Sequence, residues 1–136
     1  MFLKDLIEFV KKEAGKVPNV NTVIVGDVLK LNNSDVEYSA IVIVPTTADF
    51  DSYELTIFYA DKVSDDESNV VDIQSHSIEV IKNIAGKIKN ADFDDVTEVE
   101  IDKFELFTQR FNALCAGCFA SITVSYDNVD FECKTY

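Results

Sequence analysis

Residues 64–90 read SDDESNVVDIQSHSIEVIKNIAGKIKN, and the fold turns on what this stretch becomes. Val70, Ile73, Ser77, Val80, Ile81, Ile84 and Ile88 recur at helical spacing and make one apolar stripe. Ser64 and Glu67 have the Ser-x-x-Glu spacing of a capping box, in which each side chain satisfies a free backbone donor. Asp65, Asp66 and Glu67 suit the positive end of a helix dipole, and Lys82, Lys87 and Lys89 suit the negative end. The spacing predicts a helix over about 65–89. Its stripe must lie on another element.

Upstream of it the chain is β-rich. Residues 21–31, NTVIVGDVLKL, read as a strand bulged at Gly26. NNSD is a turn. Residues 36–45, VEYSAIVIVP, read as a second strand ended by Pro45, with 41–44 apolar enough to be buried on both faces. Residues 52–60, SYELTIFYA, alternate: Leu55, Ile57 and Tyr59 on one face, Glu54, Thr56 and Phe58 on the other. Short polar connections between these three strands predict an antiparallel meander. Before them, Phe2, Leu3, Leu6, Ile7, Val10 and Ala14 form the apolar side of a first helix over about 2–14, stopped by Gly15 and Pro18.

Downstream, residues 96–107, VTEVEIDKFELF, favour a strand, and 108–117, TQRFNALCAG, are ambiguous. Residues 118–126, CFASITVSY, alternate as a strand. Asp127-Asn128 is then a two-residue turn into a last strand over 129–133, pairing Tyr126 with Val129, Val124 with Phe131 and Ile122 with Cys133. The expected order is α-βββ-α-βββ. It describes one α+β domain over residues 1–136 with a mostly antiparallel sheet.

With 136 residues, such a domain can bury a core without metal or disulfide staples. The charge is lopsided: 25 acids against 12 bases give −13, and Arg110 is the only arginine. So acidic a chain is a poor grip for nucleic acid or an anionic membrane, both of which call for basic patches. It remains compatible with a surface that faces DNA without holding it. No run approaches the roughly 18 apolar residues of a membrane span. The opening MFLKDLIEFVKKEAGK reads as an amphipathic helix rather than a signal peptide.

Cys115 and Cys118 have redox-pair or zinc-knuckle spacing, and Cys133 and His76 complete the inventory of soft ligands. A redox pair needs its first thiol at a helix N-terminus, whereas this one leads into a strand. In the expected hairpin, Cys118 and Cys133 share a face but lie about 13 Å apart along the ladder, too far for a disulfide. Packing thiols, reduced in a cytosolic setting, are the expectation. Gly86-Lys87 has no glycine-rich loop before it. The acids at 65–67, and a run of seven from Asp92 to Glu105 that includes Asp94 and Asp95, read as solvated rather than as a metal or acid/base site. No catalytic residue, metal or cofactor is expected. Phe104, Phe107 and Phe111 exceed what a short connection needs and are candidates for an interface patch.

Four stretches carry a resemblance: NTVIVGD (21–27), YSAIVIVPT (38–46), FYADKVSDDESNVVDIQS (58–75) and FNALCAG (111–117). They resemble small tail and connector proteins of crAss-like phages and related phages of the Bacteroidetes, in particular ring or tail-terminator types. The resemblance implies a tail-terminator-like, non-catalytic subunit, made in the host cytoplasm and built into the virion tail or neck. It further implies a six-fold or twelve-fold homo-oligomeric ring touching the portal and other tail or ring proteins. DNA would pass through without specific binding. The acids Asp65, Asp66, Glu67, Asp94 and Asp95 are candidates for the lumen. Ring closure would use Phe104, Phe107 and Phe111 and, by strand addition, Val129 and Phe131. The competing expectation is a small cytosolic acidic domain that docks a basic protein, with a thiol- or metal-dependent enzyme as a third.

Overall fold

The computed structural model describes residues 3–91, 93 and 95–127. The apolar stripe becomes helix α2, Val70–Lys89, with Ile73, Ser77, Val80, Ile81, Ile84 and Ile88 buried along one side. Helix α1, Leu3–Gly15, buries Leu6, Val10 and Ala14 beside it. Both helices lie on one face of a six-stranded sheet built from β1 (Thr22–Val25), β2 (Ala40–Ala48), β3 (Ser52–Lys62), β4 (Val96–Ile101), β5 (Glu105–Arg110) and β6 (Leu114–Tyr126). The spatial order is β1-β2-β3-β6-β4, with β5 also paired to β6. The chain is thus an α+β fold with a mostly antiparallel sheet and the order α-βββ-α-βββ.

The period-2 alternation of β3 holds. Leu55, Ile57 and Tyr59 enter the helix-side core, joined by Ile41 and Ile43 of β2 and by Cys118, Ala120, Ile122 and Val124 of β6. Each fully buried Ile or Leu contributes about 2 kcal/mol by removal from water. Residues 40–43 are buried, as expected of a strand covered on both sides. The second face has a smaller core of Leu31, Ala40, Val42, Ala60 and Cys115, covered by a 3-10 helix, Val28–Asn32.

Four expectations are corrected. First, β1 stops at Val25. Gly26 takes φ +132° and turns the chain into the 3-10 helix, so it is an exit rather than a bulge. Residues 26–39 then form a crossover, and β1 pairs parallel to β2 rather than in a meander. Second, Pro45 lies inside β2, beside a register shift between Pro45 and Thr47. Ile43 accepts from the Gly26 amide, so the next outward-facing position on that side is Pro45, where β1 has already left. Its missing N–H is needed by no neighbour.

Third, α2 starts at Val70, not 65, and the capping box does not form. Glu67 sits in a turn at φ 57°. Asn69 organises the entry instead: its Oδ1 accepts from the Ser64 amide (2.8 Å) and hydroxyl (3.0 Å), and its Nδ2 donates to the Lys62 carbonyl (3.2 Å). Fourth, β6 begins at Leu114, so the ambiguous stretch supplies the end of β5 and the start of the long central strand, while the strand expected over 96–107 divides into β4 and the start of β5. Strand β6 is flanked on both sides, by β3 across 115–125 and by β4 and β5 across most of the other edge. Ile122 pairs with Leu55 and Ile101, which fill the place expected for Cys133. The last strand over 129–133 lies outside the described residues.

Strands β4 and β5 form one bent edge. Ile101 faces Ile122 and Glu105 faces Phe119, so residues 102–104 span what two residues, 120–121, span on β6. An extra residue of this kind bends and twists an edge.

Candidate interaction surface

Among the described residues, the sheet face opposite α1 and α2 is covered only in part, by the short 3-10 helix, and its side chains divide into two zones. The register places Val42, Phe58, Phe119 and Glu105 in one row across β2, β3, β6 and β5. Phe107 occupies the adjacent row, opposite Gly117. Phe58 and Phe119 stack with centroids 4.7 Å apart. Phe107 reaches both at 6.4 Å and meets Phe111 edge-on at 6.4 Å. All four rings are half-buried. Beside this cluster a trough bounded by Gly26, Val28, Val44, Pro45 and Thr56 continues the apolar surface.

Toward the β2–β3 turn the same face becomes polar. Thr56 and Ser121 hydroxyls meet at 3.1 Å. In the next row Glu54, Thr123 and Glu100 stand side by side, followed by Ser125 and Glu98. Glu98 pushes the Glu100 carboxyl up, by hydrogen bonding to its protonated form and by its own charge. Glu54, Glu100 and Asp102 line a shallow depression with Ser121 and Thr123.

Sequence reasoning grouped Phe104, Phe107 and Phe111 as one patch. The structure separates them. Phe107 and Phe111 belong to the open face, while Phe104 packs on the helix-side core. Phe111 meets Phe107, and Phe107 in turn meets Phe58 and Phe119, which the sequence reading does not single out. The signal was present for Phe58, a large aromatic on the face of β3 shared with Glu54 and Thr56. Val129 and Phe131 lie outside the described residues.

The acidic candidates fall at opposite ends of the sheet. Asp65, Asp66 and Glu67 are exposed in the loop after β3, near Arg110 and Leu114. The Ser68 hydroxyl (2.8 Å) and amide (3.1 Å) and the Ser64 hydroxyl (2.8 Å) hold Asp66 below the usual carboxylate range. Asp95 lies at the other end, where its carbonyl accepts from the Asp127 amide. The β2–β3 turn, with Asp49 and Asp51, is tied to this end through the Tyr126 amide, which donates to the Asp51 carbonyl at 2.9 Å. Asp94 lies outside the described residues.

Cys115 and Cys118 sit in one strand three positions apart, so they point to opposite faces. Cys115 joins the open-face core and Cys118 the helix-side core. Burial pushes both thiols up, away from the reactive thiolate. His76 is exposed on α2, with its ring edge-on to Tyr59 at 5.5 Å. Among the described residues no three Cys, His, Asp or Glu side chains gather as a metal cage, and no helix is long and apolar enough to cross a membrane.

The chain matches no protein-family model, and no curated protein matches it.

Proposed function

We propose that this chain is a structural subunit of a phage virion, one wedge of a head-to-tail connector or tail ring through which DNA passes. The ring is six-fold or twelve-fold, and it abuts the portal and other tail or ring proteins. The observation that carries this reading is the two-sided sheet. One face is sheathed by α1 and α2, while the other leaves Phe58, Phe107, Phe111 and Phe119 half-exposed as one contiguous cluster. A cluster of this kind calls for a protein partner. In a ring, that partner is the neighbouring copy.

The acidic half of the open face faces the bore. Its carboxylates Glu54, Glu98 and Glu100 repel phosphate and let the duplex slide, in keeping with a chain of net charge −13. The resemblance of the four sequence stretches to ring and tail-terminator proteins points the same way.

Mass photometry and negative-stain microscopy of the full chain test the proposal, alone and mixed with a portal protein. Closed rings are expected. A monomer at every concentration, in both mixtures, would sink the ring. A monomer that instead captures a basic protein would favour the acidic docking domain.

A further inference from the structure

Residues 27–36 lie as a strap on the second core, pinned at both ends. At one end the Gly26 amide donates to the Ile43 carbonyl at 2.9 Å. At the other, the Thr22 hydroxyl donates to the Glu37 carbonyl (2.7 Å) and accepts from the Glu37 amide (3.1 Å). Asn21 Nδ2 donates to the Tyr38 carbonyl at 2.7 Å. Between these ends Leu31 is the one buried residue. It sits among Ala40, Val42, Ala60 and Cys115, a seat continuous with Phe58, Phe107 and Phe111. The strap also bonds to itself: Asp27 caps the Leu29 amide, and the Asn33 side chain accepts from the Asp35 amide. Lys30 Nζ reaches the Val25 carbonyl at 3.1 Å, on the surface.

One residue from far along the chain holds the middle of the strap down. Asn112 lies in the turn between β5 and β6. Its Nδ2 donates to the carbonyls of Asn33 (2.9 Å) and Val36 (3.4 Å), and its amide to that of Leu31 (3.3 Å). Its Oδ1 accepts from the Tyr38 hydroxyl at 2.5 Å. These side-chain bonds are exposed, so water competes for them. A segment with one buried apolar side chain and exposed hydrogen bonds opens more easily than the sheet beneath it. Two thiols report the difference. Cys115 shares the seat of Leu31, while Cys118 lies in the helix-side core.

We infer that residues 27–36 are an autoinhibitory strap, latched by Asn112, that swings out about Gly26 and Glu37 while the sheet stays intact. Gly26, at φ +132°, supplies one pivot. The open strap adds the seat of Leu31 to the apolar surface around Phe58, Phe107 and Phe111. This role rests on the ring reading: Leu31 fills, in the free subunit, a seat that the neighbouring copy covers in the ring. The affinity between copies is then reduced by the fraction of subunits that are open. Loosening the latch raises the open fraction and the affinity by one and the same factor.

The test uses full-length Cys133→Ser chains, alone and with Asn112→Ala or the milder Tyr38→Phe. Thiol labelling is followed by mass spectrometry in urea below the unfolding transition. Asn112→Ala should speed Cys115 labelling about tenfold, the factor that one net hydrogen bond supplies, and leave Cys118 unchanged. Tyr38→Phe should act in the same direction. Asn69→Ala, which loosens the entry to α2 instead, should not favour Cys115 over Cys118. Equal labelling of the two thiols in the latch variants would overturn a strap that opens apart from the sheet. An unmoved Cys115 would overturn Asn112 as the latch. Mass photometry then reads assembly, alone and with a portal protein. Each latch variant should half-assemble at a concentration lower by the factor its Cys115 labelling gains. Faster labelling with no easier assembly, where the parent chain does assemble, overturns the autoinhibition and leaves the ring standing. Chains that all stay monomeric overturn the ring, and the regulation with it.

Discussion

Gly117 shows how tightly single positions are fixed. It pairs with Ala60 on one side and Phe107 on the other, and a Cβ built there would lie 1.7 Å from the Tyr59 carbonyl oxygen. That oxygen is backbone in the centre of the sheet and cannot swing aside. Gly117→Ala should cost about 3 kcal/mol by urea unfolding, at the upper end for overpacking. The thiols give a second residue-scale expectation. Burial raises the pKa of both Cys115 and Cys118, so near pH 8 the thiolate is scarcer than in a free cysteine. In a Cys133→Ser chain, a thiol-reactive dye should label neither until denaturant is added. Fast labelling of the native chain would contradict the packing described here. That Cys115 and Cys118 are packing groups was legible from the sequence, because a strand follows them. That they face opposite cores was not, because the strand's start at Leu114 is hidden in a stretch of mixed character.

At the scale of the element, the legible parts were those whose pattern needs no partner to interpret. The stripe of α2 and the alternation of β3 are set by 3.6 and 2 residue periods, and both landed on the expected faces. The misread parts depend on what lies alongside. Pro45 ends a strand only if a neighbour needs its N–H, and the sequence does not say that β1 has already turned off at Gly26. Ser64 and Glu67 had capping spacing, but Asn69 took the Ser64 amide first. Asn69→Ala should therefore destabilise the fold by about 1–2 kcal/mol through the polar groups it strands. Glu67→Ala should stay within about 0.5 kcal/mol, as for an ordinary surface change. The β2–β3 turn has an alkaline signature. Burial, with Tyr53 and the nearby Asp51 and Asp49, pushes the Tyr126 hydroxyl up to about 12. The folded state thus favours the protonated ring. Its stabilising contribution is complete below the unfolded pKa near 10 and disappears as pH rises through 12. Tyr126→Phe should flatten the fall in stability between pH 10 and 12, and should speed amide exchange at residues 49–51.

Across the whole molecule, charge decides the behaviour toward DNA. With net −13 and Glu54, Glu98 and Glu100 on the open face, the wild-type chain should leave duplex DNA unretarded in a gel even at low salt. Glu98→Lys with Glu100→Lys should create salt-sensitive retention, measured on assembled protein. Retention by the wild type would contradict the proposed role. The candidate surface was only half legible. Phe107 and Phe111 stand out as surplus aromatics, but the cluster they complete is built across β3, β5 and β6, and its Phe58 lies more than forty positions from the other three rings.

The placement of β6 between β3 on one side and β4 and β5 on the other also bears on biogenesis. It is the last of the described strands to leave the ribosome, yet the rest of the sheet closes around it. Until residue 126 emerges, a nascent chain shows β3 with one edge bare and β4 and β5 without the strand they pair with, and unpaired edges of this kind are prone to aggregate. A chain cut short before residue 126 therefore lacks the strand that joins the two parts of the sheet.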